Sequence, residues 1–246
     1  MRSGSDMKAV CAFTIGEQHI FLGTECQDYA MTARQDDVLC ALLADGAGSV
    51  EHSEIAARAA VEALCADFMK QPDLWLSMED NLLKQHIISI STEAAASAQP
   101  GMKPDCTLLM YGQAGQRSIL IHTGDGAAIG CGEETILLSR PENGSEAHLT
   151  FFLSGPDTPS HIRIIRDPDN SLDTIILTSD GAERMLYDQV SDTPANAPAI
   201  MAEWIHTSDE ETVTMKLKET METLFRRHSS DDLSIVIIYR GTDDCE

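Results

Sequence analysis

The chain has 246 residues, 43% of them hydrophobic, with 17 Lys and Arg against 40 Asp and Glu for a formal charge of −23. That length predicts one domain over 1–246 with a full core, and that apolar content excludes a disordered or fibrous chain. So much negative charge repels nucleic-acid phosphates and anionic membranes, and no basic patch offsets it, so neither is expected as a partner; the acidity favours cation binding instead.

In chain order, segments 8–15 and 18–23 predict a hairpin turning at Gly16-Glu17, followed by strands near 29–33 and 38–44. Ile55, Ala56, Ala59, Ala60, Ala63 and Leu64 recur at helical spacing, and a second helix is predicted over about 74–97, ending before Pro100-Gly101. Apolar runs at 106–111, 117–123, 127–130, 135–138 and 148–153 alternate with glycine-bearing turns, as in antiparallel hairpins. Strands near 161–166 and 173–178 lead to a short helix over about 182–187, and Ser191 to Pro198 reads as a proline-containing surface loop. Ser208 with Glu211 is a capping-box signal for a helix whose face is Val213, Leu217, Met221, Leu224 and Phe225, running to about 227. A last strand is predicted at 233–240. Strands with helices in two separate blocks predict an α+β fold of four layers, α-β-β-α, with two mostly antiparallel sheets face to face and helices on both outer faces. Seven cysteines with no CxxC pair read as reduced thiols. The opening residues are too short and wrongly flanked for a signal peptide, so a cytoplasmic location is expected.

Three apolar runs end in the same dipeptide: Leu39 to Ala44 into Asp45-Gly46, Ile119 to Gly124 into Asp125-Gly126, and Thr174 to Ser179 into Asp180-Gly181. A fourth segment reverses the order, with Asp231-Asp232 directly before the run Leu233 to Tyr239. Read as buried strands, these place carboxylates at strand ends, with glycines that would let the backbone approach a ligand. Asp-Gly taken singly is a common turn dipeptide. Gathered together, the carboxylates would need cations to hold them, and hard divalent ions such as Mg²⁺ or Mn²⁺ take such oxygens. A metal pair sharing one carboxylate activates water for phosphate-ester cleavage. Other phosphate chemistries leave no trace: no cysteine is followed six residues later by arginine, and neither a GxxxxGK[ST] loop nor a DxDxT motif occurs.

The order of these motifs, Gln27-Asp28, then ADGAGS at 44–49, DCTLL at 105–109, GDG at 124–126, SDG at 179–181 and SDDLSIVII at 230–238, resembles the type 2C metal-dependent protein phosphatases. The likeness spans nearly the whole chain and is to a compact bacterial branch. It implies a β-sandwich flanked by helical pairs, with two Mn²⁺ or Mg²⁺ ions at one end. By the resemblance, Asp45 bridges both metals, the Gly46 carbonyl completes one, Asp180 and Asp231 bind the second, Asp28 acts through water, and Asp125 serves a third. Asp232 is the lesser candidate beside the last ligand.

The chain also departs from that pattern. Gly23 stands where many members carry a phosphate-gripping arginine, leaving Arg34 and Arg184 as weak substitutes. Ala47 replaces the histidine that often follows the DG pair, so His19 is the candidate to protonate the leaving group. Gln27 replaces a glutamate, and Arg184 replaces an aspartate associated with the third metal. The implied activity is removal of phosphate from phosphoserine and phosphothreonine in proteins, with a cognate serine/threonine kinase or its targets as partners. Two alternatives stay open: a phosphatase-fold module that binds phosphoproteins without turnover, and a phosphatase for small metabolites.

Overall fold

A computed structural model describes residues 7–142, 150–155, 157–168 and 171–241. In chain order the strands are β1 (Lys8–Thr14), β2 (Asp28–Gln35), β3 (Val38–Asp45), β4 (Leu108–Ala114), β5 (Arg117–Thr123), β6 (Ala127–Cys131), β7 (Thr135–Ser139), β8 (Arg163–Arg166), β9 (Thr174–Thr178), β10 (Tyr187–Asp188), β11 (Thr193–Pro194) and β12 (Leu233–Tyr239). The helices are α1 (Glu17–Leu22), α2 (Ser53–Lys70), α3 (Pro72–Ser77), α4 (Asp80–Ala98), α5 (Thr158–His161), α6 (Asp180–Leu186), α7 (Ala197–Thr207) and α8 (Glu210–Thr223).

Two five-stranded sheets form, ordered β1-β12-β9-β6-β7 and β2-β3-β4-β5-β8. Every pairing between neighbouring strands is antiparallel. The predicted four-layer architecture is the observed one. Side-chain alternation within β3 explains why its sequence is apolar throughout. Leu39, Ala41 and Leu43 face the opposite sheet, where they meet Ile175, Leu177, Val236 and Ile238. Cys40, Leu42 and Ala44 face the helices, against Leu64, Phe68, Trp75, Leu83 and Ile87 of α2 to α4. Both faces of the strand are therefore dry, and period-two patterning disappears. On the other side Ile176, Ile235 and Ile237 pack under Leu186, Met201, Ile205, Val213, Leu217 and Met221 of α6 to α8.

Five local expectations differ from the structure. The segment expected as the second arm of a hairpin is helix α1, which ends at Gly23 in the left-handed region (φ 69°). The single helix expected over 74–97 is broken near Met78, because the Glu79 carboxylate accepts from the amides of Asn81 and Leu82 (3.0 and 3.3 Å) and starts α4 afresh. α7 went unpredicted because Pro194 and Pro198 read as loop residues, yet Pro198 lies in the first turn, where its missing N–H costs nothing. The cap of α8 is Asp209, accepting from Thr212 N at 2.8 Å, and Glu210 turns away to accept from Ala9 N at 2.9 Å. Of the strand expected at 148–153, residues 148–149 lie outside the described residues and 151–153 form no strand. Among the described residues, no helix is long and apolar enough to cross a membrane.

Candidate functional site

The two sheets meet at one end in a cleft of about 410 Å³ whose lining includes Gln18, His19, Asp45, Gly46, Asp125, Thr150, Asp180 and Asp231. Asp45 ends β3, and its backbone is fixed on both sides by Thr107, whose Oγ1 accepts from Asp45 N (3.0 Å) and whose N donates to Asp45 O (2.8 Å). Asp28 opens β2 directly opposite Asp45 in the antiparallel register. Asp125 follows β5, Asp180 is the first residue of α6 after β9, and Asp231 precedes β12. One carboxylate oxygen from each of Asp45, Asp125 and Asp180 lies within 4.8 Å of the others.

Two of the glycines also permit close packing. A Cβ on Gly181 would stand 1.9 Å from the Asp232 carbonyl oxygen, and one on Gly46 would stand 2.8 Å from the Ser53 backbone. They let the carriers of Asp180, Asp231 and Asp45 press against each other and against α2. Gly181→Ala is accordingly expected to lose about 1–3 kcal/mol of stability in urea unfolding, since backbone on both sides must shift. An alanine variant as stable as the parent would contradict this packing role.

A serine ties the two sheets under the cleft. Ser179 Oγ donates to Asp28 Oδ2 at 2.7 Å and accepts from Ser234 N at 2.9 Å. Nothing in the sequence marked Ser179 beyond its place in the SDG motif. Asp232, 1% exposed, is not among the residues lining the cleft. Its Oδ1 accepts from Gly16 N (2.7 Å), and its Oδ2 lies against Gln27 N (2.6 Å) and His19 Nδ1 (2.8 Å). Arg34 sits elsewhere, on the Met7 carbonyl and Glu210, and Arg184 does not line the cleft either. Among the described residues, no lysine or arginine lines it. Glu183, one position out of register with the expected acid, is buried beside Gln189.

The electrostatics are those of acids held without counter-charge. Loss of water pushes Asp180 up to about 8, with Asp125, Asp231 and Asp28 adding to it. Burial likewise raises Asp28 to about 7 against the pull of its Ser179 and Ser234 bonds. Asp45 is raised well above the usual carboxylate range by burial first, then by Asp28, Asp180, Asp125 and Asp231. Asp28 Oδ1, Asp125 Oδ1, Asp180 Oδ1 and Thr150 Oγ1 are buried and have no hydrogen-bond partner. Converging hard oxygens with unused lone pairs are the donor set that divalent cations of the Mg²⁺ type take, so these residues fit such a metal.

A family model described as Protein phosphatase 2C matches residues 15–222. The chain belongs to the protein phosphatase 2C family. That family is one of metal-dependent protein phosphatases. Among solved structures, serine/threonine phosphatase Stp1 from Staphylococcus aureus is similar at 15% identity and a TM-score of 0.66, covering 97% of this chain and 97% of that one. The S. agalactiae serine/threonine phosphatase is similar at 17% identity and a TM-score of 0.63, covering 95% and 99%. RsbX, solved in complex with magnesium, is similar at 14% identity and a TM-score of 0.57, covering 95% and 94%. At these identities the likeness is one of fold. No curated protein matches the sequence.

Proposed function

We propose that this protein phosphatase 2C member is a Mn²⁺- or Mg²⁺-dependent phosphomonoesterase, one domain over 1–246, that removes phosphate from phosphoserine and phosphothreonine in proteins. The observation that carries the reading is the trio Asp45, Asp125 and Asp180, with carboxylate oxygens within 4.8 Å and buried Oδ1 atoms of Asp125 and Asp180 left unpaired. Asp45, Asp180 and Asp231, with the Gly46 carbonyl, would hold two ions; Asp28 would act through water, and Asp125 would serve a third. Bound there, the ions supply an activated water and neutralise phosphoryl oxygens. The chain's own residues supply the rest. Asp28, fixed by Ser179 and paired with Asp45 in the strand register, would orient water, and His19, which lines the cleft, hands a proton to the departing oxygen. A phosphoprotein substrate, a kinase acting on it and a cytoplasmic location complete the proposal; six described cysteines are free thiols, in keeping with a reducing compartment.

One observation favours a second reading. With Gly23 at the C-cap of α1 and no described cation in the cleft, phosphate lacks a side-chain anchor, as in a binding module without turnover. Hydrolysis of p-nitrophenyl phosphate and of a phosphothreonine peptide, each with Mn²⁺, Mg²⁺ or chelator, separates these readings. Metal-dependent turnover favouring the peptide is expected. Turnover of the small ester with none of the peptide would count against protein substrates, and metal binding without any turnover would establish the module.

A further inference from the structure

Helix α1 buries none of its own residues. Ile20, Phe21 and Leu22 are 53%, 88% and 59% exposed, so apolar packing does not hold this helix against the cleft. Polar pins do. Gln18 N donates to Ser230 O at 3.0 Å, Gly16 N donates to Asp232 Oδ1, and His19 Nδ1 meets Asp232 Oδ2. Each pin lands on the segment that also carries Asp231.

The histidine geometry follows from donor counting. Both Asp232 oxygens accept from backbone N–H groups, Oδ1 from Gly16 N and Oδ2 from Gln27 N, so Asp232 is the acceptor in the 2.8 Å contact and His19 Nδ1 carries the hydrogen. Nε2 is then the ring nitrogen left for the cleft that His19 lines, and it has no hydrogen-bond partner among the described residues. His19 is also the one histidine, lysine or arginine among the described lining residues.

We propose that Asp232 is a positioning residue that acts through His19, turning Nε2 toward the leaving oxygen so that poor leaving groups, the serine and threonine alkoxides, can depart. The inference rests on the phosphatase reading. In the step, water oxygen bonds to phosphorus and releases a proton to solvent, while the bond from phosphorus to the ester oxygen breaks with its electron pair on that oxygen. The His19 Nε2 proton passes to it, giving the alcohol. The neutral ring keeps its Nδ1 hydrogen on Asp232 and regains the other proton from solvent. Aspartate-held histidines serve acid–base catalysis by this division of labour between the two ring nitrogens.

The test uses the full chain with Mn²⁺ and two substrates of unlike leaving group, a phosphothreonine peptide and p-nitrophenyl phosphate. His19→Gln is expected to lower kcat on the peptide by on the order of 10²-fold, a loss at least ~10-fold larger than on the nitrophenyl ester, with little change in KM. Asp232→Asn should show the same bias toward the peptide, and should add less than ~2-fold when placed on His19→Gln. Losses equal on both substrates, or multiplying in the double variant, would mean that Asp232 only holds the fold, and would overturn the proposal. Nitrogen-15 spectra of the chelated protein give a readout free of turnover. The neutral His19 ring is expected as the Nδ1–H tautomer in the parent and not in Asp232→Asn; an Nε2–H tautomer in the parent overturns the positioning. If the parent hydrolyses neither substrate, the phosphatase reading falls and the proton delivery falls with it. If the parent turns over both and His19→Gln ignores the leaving group, the proton delivery alone falls.

Discussion

Asp45→Asn is expected to move activity and stability in opposite directions. Turnover of a phosphothreonine peptide should fall on the order of 10³-fold, because the side chain proposed to serve both ions loses its charge. The chelated variant should nonetheless melt higher than the chelated parent. Burial and four neighbouring acids, Asp28, Asp180, Asp125 and Asp231, all disfavour a charge on Asp45. Asparagine has the same shape and no charge, so it removes the repulsion while the backbone remains pinned by Thr107. Relief of roughly 1–2 kcal/mol near neutral pH corresponds to about 2–8 °C in Tm for a chain of this size. With saturating Mn²⁺ the order should reverse, since only the parent gains the full binding energy. Thermal melts of both proteins with chelator and with Mn²⁺ decide the point. A variant that melts lower than the parent in chelator would mean that Asp45 serves the fold as a hydrogen-bonding acid, and would remove the reason for assigning it a metal. Such a stability cost concentrated at a site is the usual mark of function held against the fold's own preference.

How much of this was legible follows from which contacts are local. The strand ends carrying Asp45, Asp125 and Asp180 could be located because their strands are apolar on both faces, so each run stops visibly at the first carboxylate. The four layers followed from strands separated by two blocks of helical spacing. α1 was illegible because its conformation is fixed by Asp232, more than 200 residues away, and not by its own Ile20, Phe21 and Leu22, which mimic a strand. α7 was hidden by Pro194 just before it and by Pro198, which a first turn tolerates. The glycines were legible as special positions, but their packing role was not, since the clash that a Cβ on Gly181 would make with Asp232 is between distant segments. The cleft's remaining lining, including Gln18, Leu22, Thr24, Thr150 and Phe152, comes from loops and from α1, where neither periodicity nor motif singles out a residue.

The chelated protein should lose stability as pH rises from about 5 to about 8, the reverse of an ordinary acid-sensitive fold. Asp28 and Asp180 keep their protons in the folded state up to about 7 and about 8, whereas in the unfolded chain they ionise near the ordinary value of about 4. Between those limits the native state binds more protons than the unfolded state, so stability is greatest below the unfolded value and drains away through the folded ones. Each retained proton is worth about 1.4 kcal/mol per pH unit at most. Sharing of protons among touching acids reduces the total to an expected loss of roughly 2–3 kcal/mol, or ~4–12 °C in Tm. Asp67, held below its usual range with Gln71, Trp75 and His86 as its hydrogen-bond partners, opposes this only below about pH 4, outside the window. Mn²⁺ should invert the slope, because metal competes with those same protons and binds more tightly as they leave. At a hundred times its dissociation constant the ion adds about 2.7 kcal/mol. Melting curves at four pH values with chelator and with Mn²⁺ therefore read the cluster twice, once through its repulsion and once through its ligand. A chelated protein that grows more stable toward pH 8 would show that the acids are already satisfied by the protein itself, and a cluster so satisfied has no free lone pairs with which to bind a metal.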